Sequence, residues 1–354
     1  MARVERHQLS VIAWAGLLFA FALVAFVPCS SACTYQKGPF IDELEAQSKT
    51  CRHLLCGRIF QTTHQAAGAS ASSCESWIAL KAAATAALSA QGILILGETH
   101  DNATHHVLQH AALREFGRSA PRAAAVVFEQ IRDDQQPGIE GFAAFTRNAA
   151  RPATVADLRR FLDWDKSGWS KDIYDPLFSA VITQKLSIYP GDVPRPAIMK
   201  VAQEGEGALP EQERRRLGLH VALGAKLDAA SIEEIEKAHC GAISKAAFEG
   251  MAYAQRYRDA HLADAALRAA AANGGAIMIA GTGHARTDRG VPWYIRGRAP
   301  ETKVVSVVFV EVEENQTDPE GYVPRDPDGK PAADYLVFTA RAERGDPCEK
   351  MRRK

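Results

Sequence analysis

Apolar runs bounded by glycine and polar residues recur along the chain and predict an alternation of strands and helices. The runs at 92–96 (GILIL) and 123–130 (AAAVVFEQ) predict strands that are buried on both faces. Between them, residues 103–117 place apolar and small side chains at helical spacing and end on Gly117. Strand, helix and strand in this order form a βαβ unit, which implies a parallel strand pair.

The stretch from about 137 to 270 shows mainly helical patterning, with Thr154 and Ser231 as predicted N-caps. Its last and longest helix is alanine-rich and stops at an Asn-Gly-Gly sequence. Strand patterns then return at 276–281, 303–312 and 333–341. The predicted fold class is therefore α/β, with a mostly parallel central sheet flanked by helices and a smaller all-helical insertion.

Four segments follow from this patterning: a signal peptide at 1–32, an irregular N-terminal linker at 33–75, an α/β domain at 76–315 with the helical insertion at about 137–270, and a C-terminal extension at 316–354 with a late strand. The first segment has a basic start, an apolar run from Leu9 to Val27 and small residues before Cys33, as a secretory signal does. The run is also long enough for an uncleaved membrane anchor. The SSAC sequence resembles a bacterial lipobox, which would make Cys33 a lipid anchor.

Composition narrows the partners and the compartment. The chain has 42 Lys and Arg against 42 Asp and Glu, and this balance argues against a nucleic-acid partner, which normally requires a basic excess. Of seven cysteines, Cys29 lies in the signal and six remain. An even number in an exported chain suggests disulfides, whose pairing the spacing leaves open. We expect an exported protein, either periplasmic or an outer-membrane-anchored lipoprotein.

Three predicted strands end in polar residues of the types that bind metal ions or transfer protons. Glu98 and His100 follow the first strand, Glu129 ends the second, and His284 follows a third in a second Gly-x-x-His turn. Ligands of open α/β sheets bind beyond the carboxyl ends of the strands, so these four side chains meet if the strands are parallel neighbours. They suit a divalent metal such as Zn, Mn or Fe, or general acid–base catalysis. The structural alternatives are a helix cap by Glu98, a hydrogen bond from His100 to a backbone carbonyl and an ion pair between Glu129 and Arg132.

Further candidates surround this constellation. One of two adjacent histidines, His105 or His106, faces the site, because neighbours on a helix do not share a face. Asp101 and Asn102 suit a helix cap. Aromatic residues of the insertion pack in the core or wall a flat apolar ligand. The predicted cofactor-binding residues are His105, Trp169, Tyr174, Gln255, Arg258 and Arg286. The sequence contains no GxSxG elbow, HExxH, P-loop or GxGxxG motif.

Taken together, ILILGETHDNATHHVLQ, VVFEQ, GWSKDIYDP, KAHCG, AQRYRDAHLAD, IAGTGHARTDRGVP and DYLVFTARAERGDPC resemble the ChaN-like haem-binding uptake proteins of the Tiki/erythromycin-esterase-like group. The resemblance runs from about residue 85 to 348. It implies haem as the cofactor, bound between two subunits of a homodimer, and a tyrosine as the haem ligand, with Tyr174, Tyr253 and Tyr257 as candidates. It also implies a disulfide between Cys240 and Cys348.

The sequence leads to two functional hypotheses and one alternative. The resemblance favours an exported haem-binding protein linked to haem or iron uptake. The strand-end constellation favours a metal-dependent hydrolase that uses Glu98, His100, Glu129 and His284. The third possibility is a non-catalytic scaffold. In each case the partner is a small-molecule ligand, and the sequence defines no substrate.

Overall fold

A seven-stranded sheet forms the centre of the part of the chain that the computed structural model describes, residues 38–62, 72–169, 172–240, 245–346 and 348–349. The spatial order is β1-β7-β6-β2-β5-β3-β4, and every pair is parallel except β1 with β7. The strands are β1 Ile59–Gln61, β2 Ile93–Glu98, β3 Ala125–Arg132, β4 Ile188–Asp192, β5 Ala276–Gly281, β6 Val304–Glu311 and β7 Tyr335–Thr339. The predicted α/β class with a mostly parallel sheet is confirmed.

Helices cover both faces of this sheet. They are α1 Pro39–Thr50, α2 Ser73–Ser89, α3 Ala103–Phe116, α4 Gln136–Asn148, α5 Val155–Phe161, α6 Asp175–Gln184, α7 Arg195–Glu204, α8 Glu211–Leu217, α9 Ala225–Ala238, α10 Lys245–Asn273, α11 Thr282–Ala285 and α12 Val291–Arg298. Successive strand residues point to opposite faces. Leu94 and Leu96 of β2 therefore pack in the core under α2, α3 and α6, while Ile93 and Ile95 pack in the core under α10 and α12.

Local sequence explains most helix starts. Thr154 caps α5 as predicted, through a reciprocal capping box with Asp157. Asn102 caps α3 by accepting from two backbone N–H groups, which confirms the predicted cap. The predicted cap at Ser231 is wrong, because α9 begins at Ala225 and the Ser231 hydroxyl bonds within it to the carbonyl of Leu227.

Two predicted boundaries need correction. Within the stretch read as an irregular linker, 33–75, α1 buries Phe40 and Leu44 in the core, and β1 pairs with β7. α1 has only 12 residues, and its few apolar positions do not form a recognisable helical period. The insertion at 137–270 is not all helical, because β4 lies within it and forms one edge of the sheet. Pro190 and Gly191 inside β4 hide its strand character.

The cysteines form disulfides, as predicted for an exported chain. Cys240 bonds to Cys348, the pair that the family resemblance implied, and Cys51 bonds to Cys56. The first bridge joins the end of α9 to the segment after β7. The predicted signal peptide and Cys33 lie outside the described residues, and no described helix is long and apolar enough to cross a membrane.

Candidate functional site at the carboxyl edge of the sheet

The strand-end residues meet at one edge because their strands are neighbours. β2 pairs with β5 in a register that places Glu98 beside Gly281, and β3 flanks β5 on its other side. The structure therefore brings together the four predicted residues Glu98, His100, Glu129 and His284. Three of them are almost completely buried, and His100 is the exposed member.

Glu98 is the centre of one half of this cluster. Its Oε1 accepts from the hydroxyl of Tyr174 at 2.7 Å and from Nε2 of Gln130 at 2.9 Å, and it lies 2.9 Å from Nδ1 of His100. Burial alone would raise the pKa of Glu98, but hydrogen bonds to His100 and His106 outweigh it and lower the pKa to about 2. The side chain is therefore a buried carboxylate at neutral pH.

His106 lies beside Glu98 in the core and is surrounded by hydrogen-bond acceptors. Its Nε2 lies 2.9 Å from the carbonyl oxygen of His100, and its Nδ1 lies 3.1 Å from Oε1 of Gln109 and 3.3 Å from Oε2 of Glu98. All three are acceptors, since the Gln109 amide nitrogen is used by the carbonyl of Leu96. Burial opposes protonation, but these acceptors raise the pKa of His106. Both ring nitrogens therefore face acceptors, an arrangement that favours the imidazolium form.

Glu129 is the centre of the second half. Arg258 of α10 donates from Nη2 to Oε1 of Glu129 at 2.7 Å and to Oδ2 of Asp192 at 2.6 Å. The backbone N–H of Gly281 donates to the other oxygen of Glu129 at 2.6 Å. Burial disfavours the charged carboxylate, yet the charges of His284 and Arg258 hold the pKa of Glu129 well below its usual range.

His284 joins this half to α10. Its Nδ1 lies 2.6 Å from Oδ1 of Asp259, and its Nε2 lies 3.3 Å from Oε1 of Glu129. Burial disfavours the protonated ring, but the charges of Glu129 and Asp259 outweigh it and raise the pKa of His284 to about 10. Nε2 of Gln255 lies 3.2 Å from Nδ1 of this ring. His284 is thus a buried cation between two carboxylates.

His100 forms the mouth of the cluster. Its side chain is 38% exposed, and its ring lies 4.9 Å from that of Trp169, which also contacts Tyr174. Burial lowers its basicity, but the hydrogen bond to Glu98 and the charge of Glu129 raise the pKa of His100. A histidine that donates one N–H to a buried carboxylate has a fixed ring orientation. His100 is therefore the member placed to exchange a proton with a ligand.

Gly281 is required for the position of this ring. A Cβ at Gly281 would lie 2.8 Å from Nε2 of His100, although the φ of −60° would accept any residue. We expect Gly281→Ala to push the imidazole away from Glu98 and to cost about 1–3 kcal/mol of stability. The measurement is the chemical shift and titration of the His100 ring by NMR, together with urea unfolding.

Gly283→Ala is the matched control, because a Cβ there meets no atom within 4 Å. Its His100 resonances should match those of the unsubstituted protein. If Gly281→Ala also leaves them unchanged, the close approach of Gly281 to His100 does not orient the ring.

The donor set does not fit a divalent metal. Among the described residues, no group of three or more His, Cys, Asp or Glu side chains is arranged to hold a metal ion. Oε1 of Glu129 is contacted by Arg258 and His284, and Nδ1 of His284 is contacted by Asp259. Protein cations thus neutralise the carboxylates that a metal ion would need. The prediction that Glu98, His100, Glu129 and His284 are metal ligands gains no support from this geometry.

The predicted cofactor-binding residues fall into two groups. Trp169, Tyr174, Gln255 and Arg258 contact the cluster. His105 does not: it is buried behind the site, where its Nδ1 accepts from the N–H of Thr99 and its Nε2 bonds to Thr339. Burial lowers the pKa of His105 to about 4, so the ring is neutral. Arg286 lies outside the cluster and pairs with Asp288.

Sequence reasoning missed several members of the cluster. His106, rather than His105, contacts Glu98, and Gln130 follows Glu129 directly in β3. Asp192 was missed because β4 was not recognised as a strand. Asp259 follows Arg258 on α10, and nothing in the sequence indicated its contact with His284. If β4 had been recognised as a strand, the polar residue at its end, Asp192, would have indicated a further member of the cluster.

This arrangement defines an α/β protein with a cluster of buried ionisable side chains at the carboxyl edge of a parallel sheet. The family model described as haem-binding uptake, Tiki superfamily, ChaN matches residues 84–295, more than half of the chain. The chain belongs to this family. Comparison with the curated proteins gives no match.

One solved structure shows the same fold. The chain is similar to ChaN of Campylobacter jejuni, described for cofacial haem binding, with 18% identity and a TM-score of 0.56 over 80% of this chain and 96% of that one. An erythromycin esterase matches with 15% identity and a TM-score of 0.40, over 83% of this chain and 85% of that one. A succinoglycan biosynthesis protein matches with 13% identity and a TM-score of 0.38, over 77% and 75%. The last two scores are too low to carry an argument.

Proposed function

We propose that this protein binds haem in the cell envelope and takes part in haem or iron uptake. The family match over residues 84–295 is the observation that carries the proposal. The disulfide pairing supports an oxidising compartment, since such bonds persist in exported proteins. Export through the signal at 1–32, lipidation at Cys33 and assembly into a homodimer belong to the same proposal.

The mouth of the cluster is the place we propose for the haem. Trp169 and His100 present aromatic surface there, and flat apolar ligands stack on such surface. Tyr174 is less suited as an iron ligand, because its hydroxyl is buried and donates to Glu98. When bound, haem would supply the iron chemistry, while the residues of this chain orient it and exclude water.

A haem titration tests the proposal. We expect the purified protein to shift the Soret band of haem at micromolar concentration, and Trp169→Leu and His100→Ala to weaken binding about tenfold or more. Trp293→Leu is the control, because Trp293 is equally half-buried but lies in α12. Absence of a Soret shift would contradict haem binding. A shift that all three variants retain would move the haem away from the mouth.

A hydrolase is the second candidate, favoured by two histidines that are each bonded to a buried carboxylate. His100 pairs with Glu98, and His284 pairs with Asp259. The geometry supports acid–base chemistry at His100 better than the predicted metal-dependent mechanism. Elemental analysis of the purified protein, of His100→Ala and of His284→Ala distinguishes the two. Bound Zn, Mn or Fe that is lost in both variants would restore the metal-dependent hydrolase.

A further inference from the structure

A large cavity lies away from the charged cluster. It is an open groove of about 1080 Å³, between α4 and the edge strand β4. The loop at 149–153 and the end of α6 close its sides. Haem binding as proposed above does not use this groove.

The floor of the groove is apolar. Ile182 of α6, Ile188 of β4 and Pro152 of the loop line it with partly or fully exposed apolar side chains, and the buried Ile139 and Phe142 of α4 also line it. A groove with such walls is suited to an apolar ligand body, since each buried methylene contributes about 0.8 kcal/mol.

The rim of the groove is cationic. Arg147 and Lys185 are exposed on it, and neither side chain has a hydrogen-bond or ion-pair partner among the described residues. Arg151 also lies on the rim, but it is neutralised by two hydrogen bonds to Asp157, at 2.6 and 2.7 Å. No Asp or Glu side chain of the described residues lines the groove. The charge is therefore complementary to an anionic head group.

The lining favours an aliphatic ligand over an iron porphyrin. Among the described lining residues there is no His, Cys or Met to ligate iron. Tyr189 packs against the core on the opposite face of the sheet, and its hydroxyl accepts from Nδ2 of Asn273 at 3.1 Å. Addition of a peptide strand to β4 is disfavoured as well, because Pro190 lacks an N–H group. We propose that the groove binds a long-chain fatty acid, with its carboxylate at Arg147 and Lys185.

Fluorescence titration of the full chain with cis-parinarate tests this inference. We expect binding at micromolar concentration and displacement by palmitate, but not by methyl palmitate, which lacks the charge. The double variant Arg147→Glu/Lys185→Glu should raise the Kd for cis-parinarate at least about tenfold. The double variant Arg122→Glu/Lys303→Glu changes the net charge equally at exposed positions outside the groove and should bind normally.

Three results would overturn the inference: no binding of cis-parinarate, equal affinity in the two double variants, or displacement of cis-parinarate by haem with loss of Soret binding in Arg147→Glu/Lys185→Glu. The last result would make the groove the haem site. If the proposed haem function is wrong, haem shows no Soret shift while cis-parinarate still binds. The two proposals can therefore fail independently.

Discussion

Arg258→Met is expected to lower the free energy of unfolding by about 3–5 kcal/mol, measured by urea denaturation at neutral pH. Arg258 contacts Glu129 and Asp192 at 2.7 and 2.6 Å, and both carboxylates are buried. Methionine has a similar length but no charge. Its introduction would therefore leave the buried Asp192 without its cation and Glu129 with only histidine cations, and this penalty exceeds the net stabilisation by the intact ion pairs.

Two variants separate the buried charge from the general effect of shortening an arginine on α10. Arg256→Met is the control, because Arg256 donates to neutral oxygens, the Tyr294 hydroxyl and the Val221 carbonyl. We expect it to cost less than about 1.5 kcal/mol. Arg258→Met/Glu129→Met should recover part of the loss, since it removes one of the two carboxylates that lose Arg258. Equal losses for Arg258→Met and Arg256→Met would show that the ion pairs do not stabilise the fold.

The position of the site could be predicted from the sequence because it depends on strand ends. Glu98, Glu129 and the Gly281 turn each follow an apolar run, and parallel strands end at the same edge. β2, β5 and β3 are adjacent in that order, as the prediction requires. Their apolar runs are easy to recognise in the sequence because helices cover both faces of these strands. This part of the site follows from patterning and topology.

The partners of the strand-end residues could not be predicted, because they depend on helix rotation and packing. His105 and His106 are neighbours in α3, and only their direction decides that His106 meets Glu98 while His105 meets Thr339. Asp259 and Arg258 are likewise adjacent in α10, yet they contact His284 and Glu129 respectively. Sequence spacing gives such pairs no distinct signature. Their roles are set by the angle at which each helix crosses the sheet.

Neighbouring cations explain how several acidic groups are buried together. The acidic side chains Glu98, Glu129, Asp192 and Asp259 lie beside Arg258 and beside three histidines with raised pKa values, His100, His106 and His284. Buried charges are tolerated only when they are paired. Burial raises the pKa of Asp259, and the charge of His284 opposes that rise. The protonation of His284 therefore makes the stability of the site dependent on pH.

The pH dependence centres on His284, whose stabilising effect is expected to disappear between pH 6.5 and 10. Its pKa is raised from 6.5 to about 10 in the folded protein by Glu129 and Asp259, against the opposing effect of burial. A pKa raised by folding stabilises the protein fully below the unfolded value, and the stabilisation is lost as the pH rises through the folded value. The loss should approach about 1.4 kcal/mol per pH unit within this window.

Urea unfolding of the unsubstituted protein and of His284→Gln at pH 6, 8 and 10 measures this effect. The free energies of unfolding of the two proteins should differ most at pH 6, and the difference should narrow at each higher pH. His284 loses its proton over this range, whereas the glutamine side chain does not titrate. His220→Gln is the control, since His220 is exposed and outside the cluster, and its difference should stay constant. A difference for His284→Gln that stays constant from pH 6 to pH 10 would mean that His284 is neutral in the folded protein. Glu129 and Asp259 would then share the charge of Arg258 alone, and the buried cluster would carry a net negative charge.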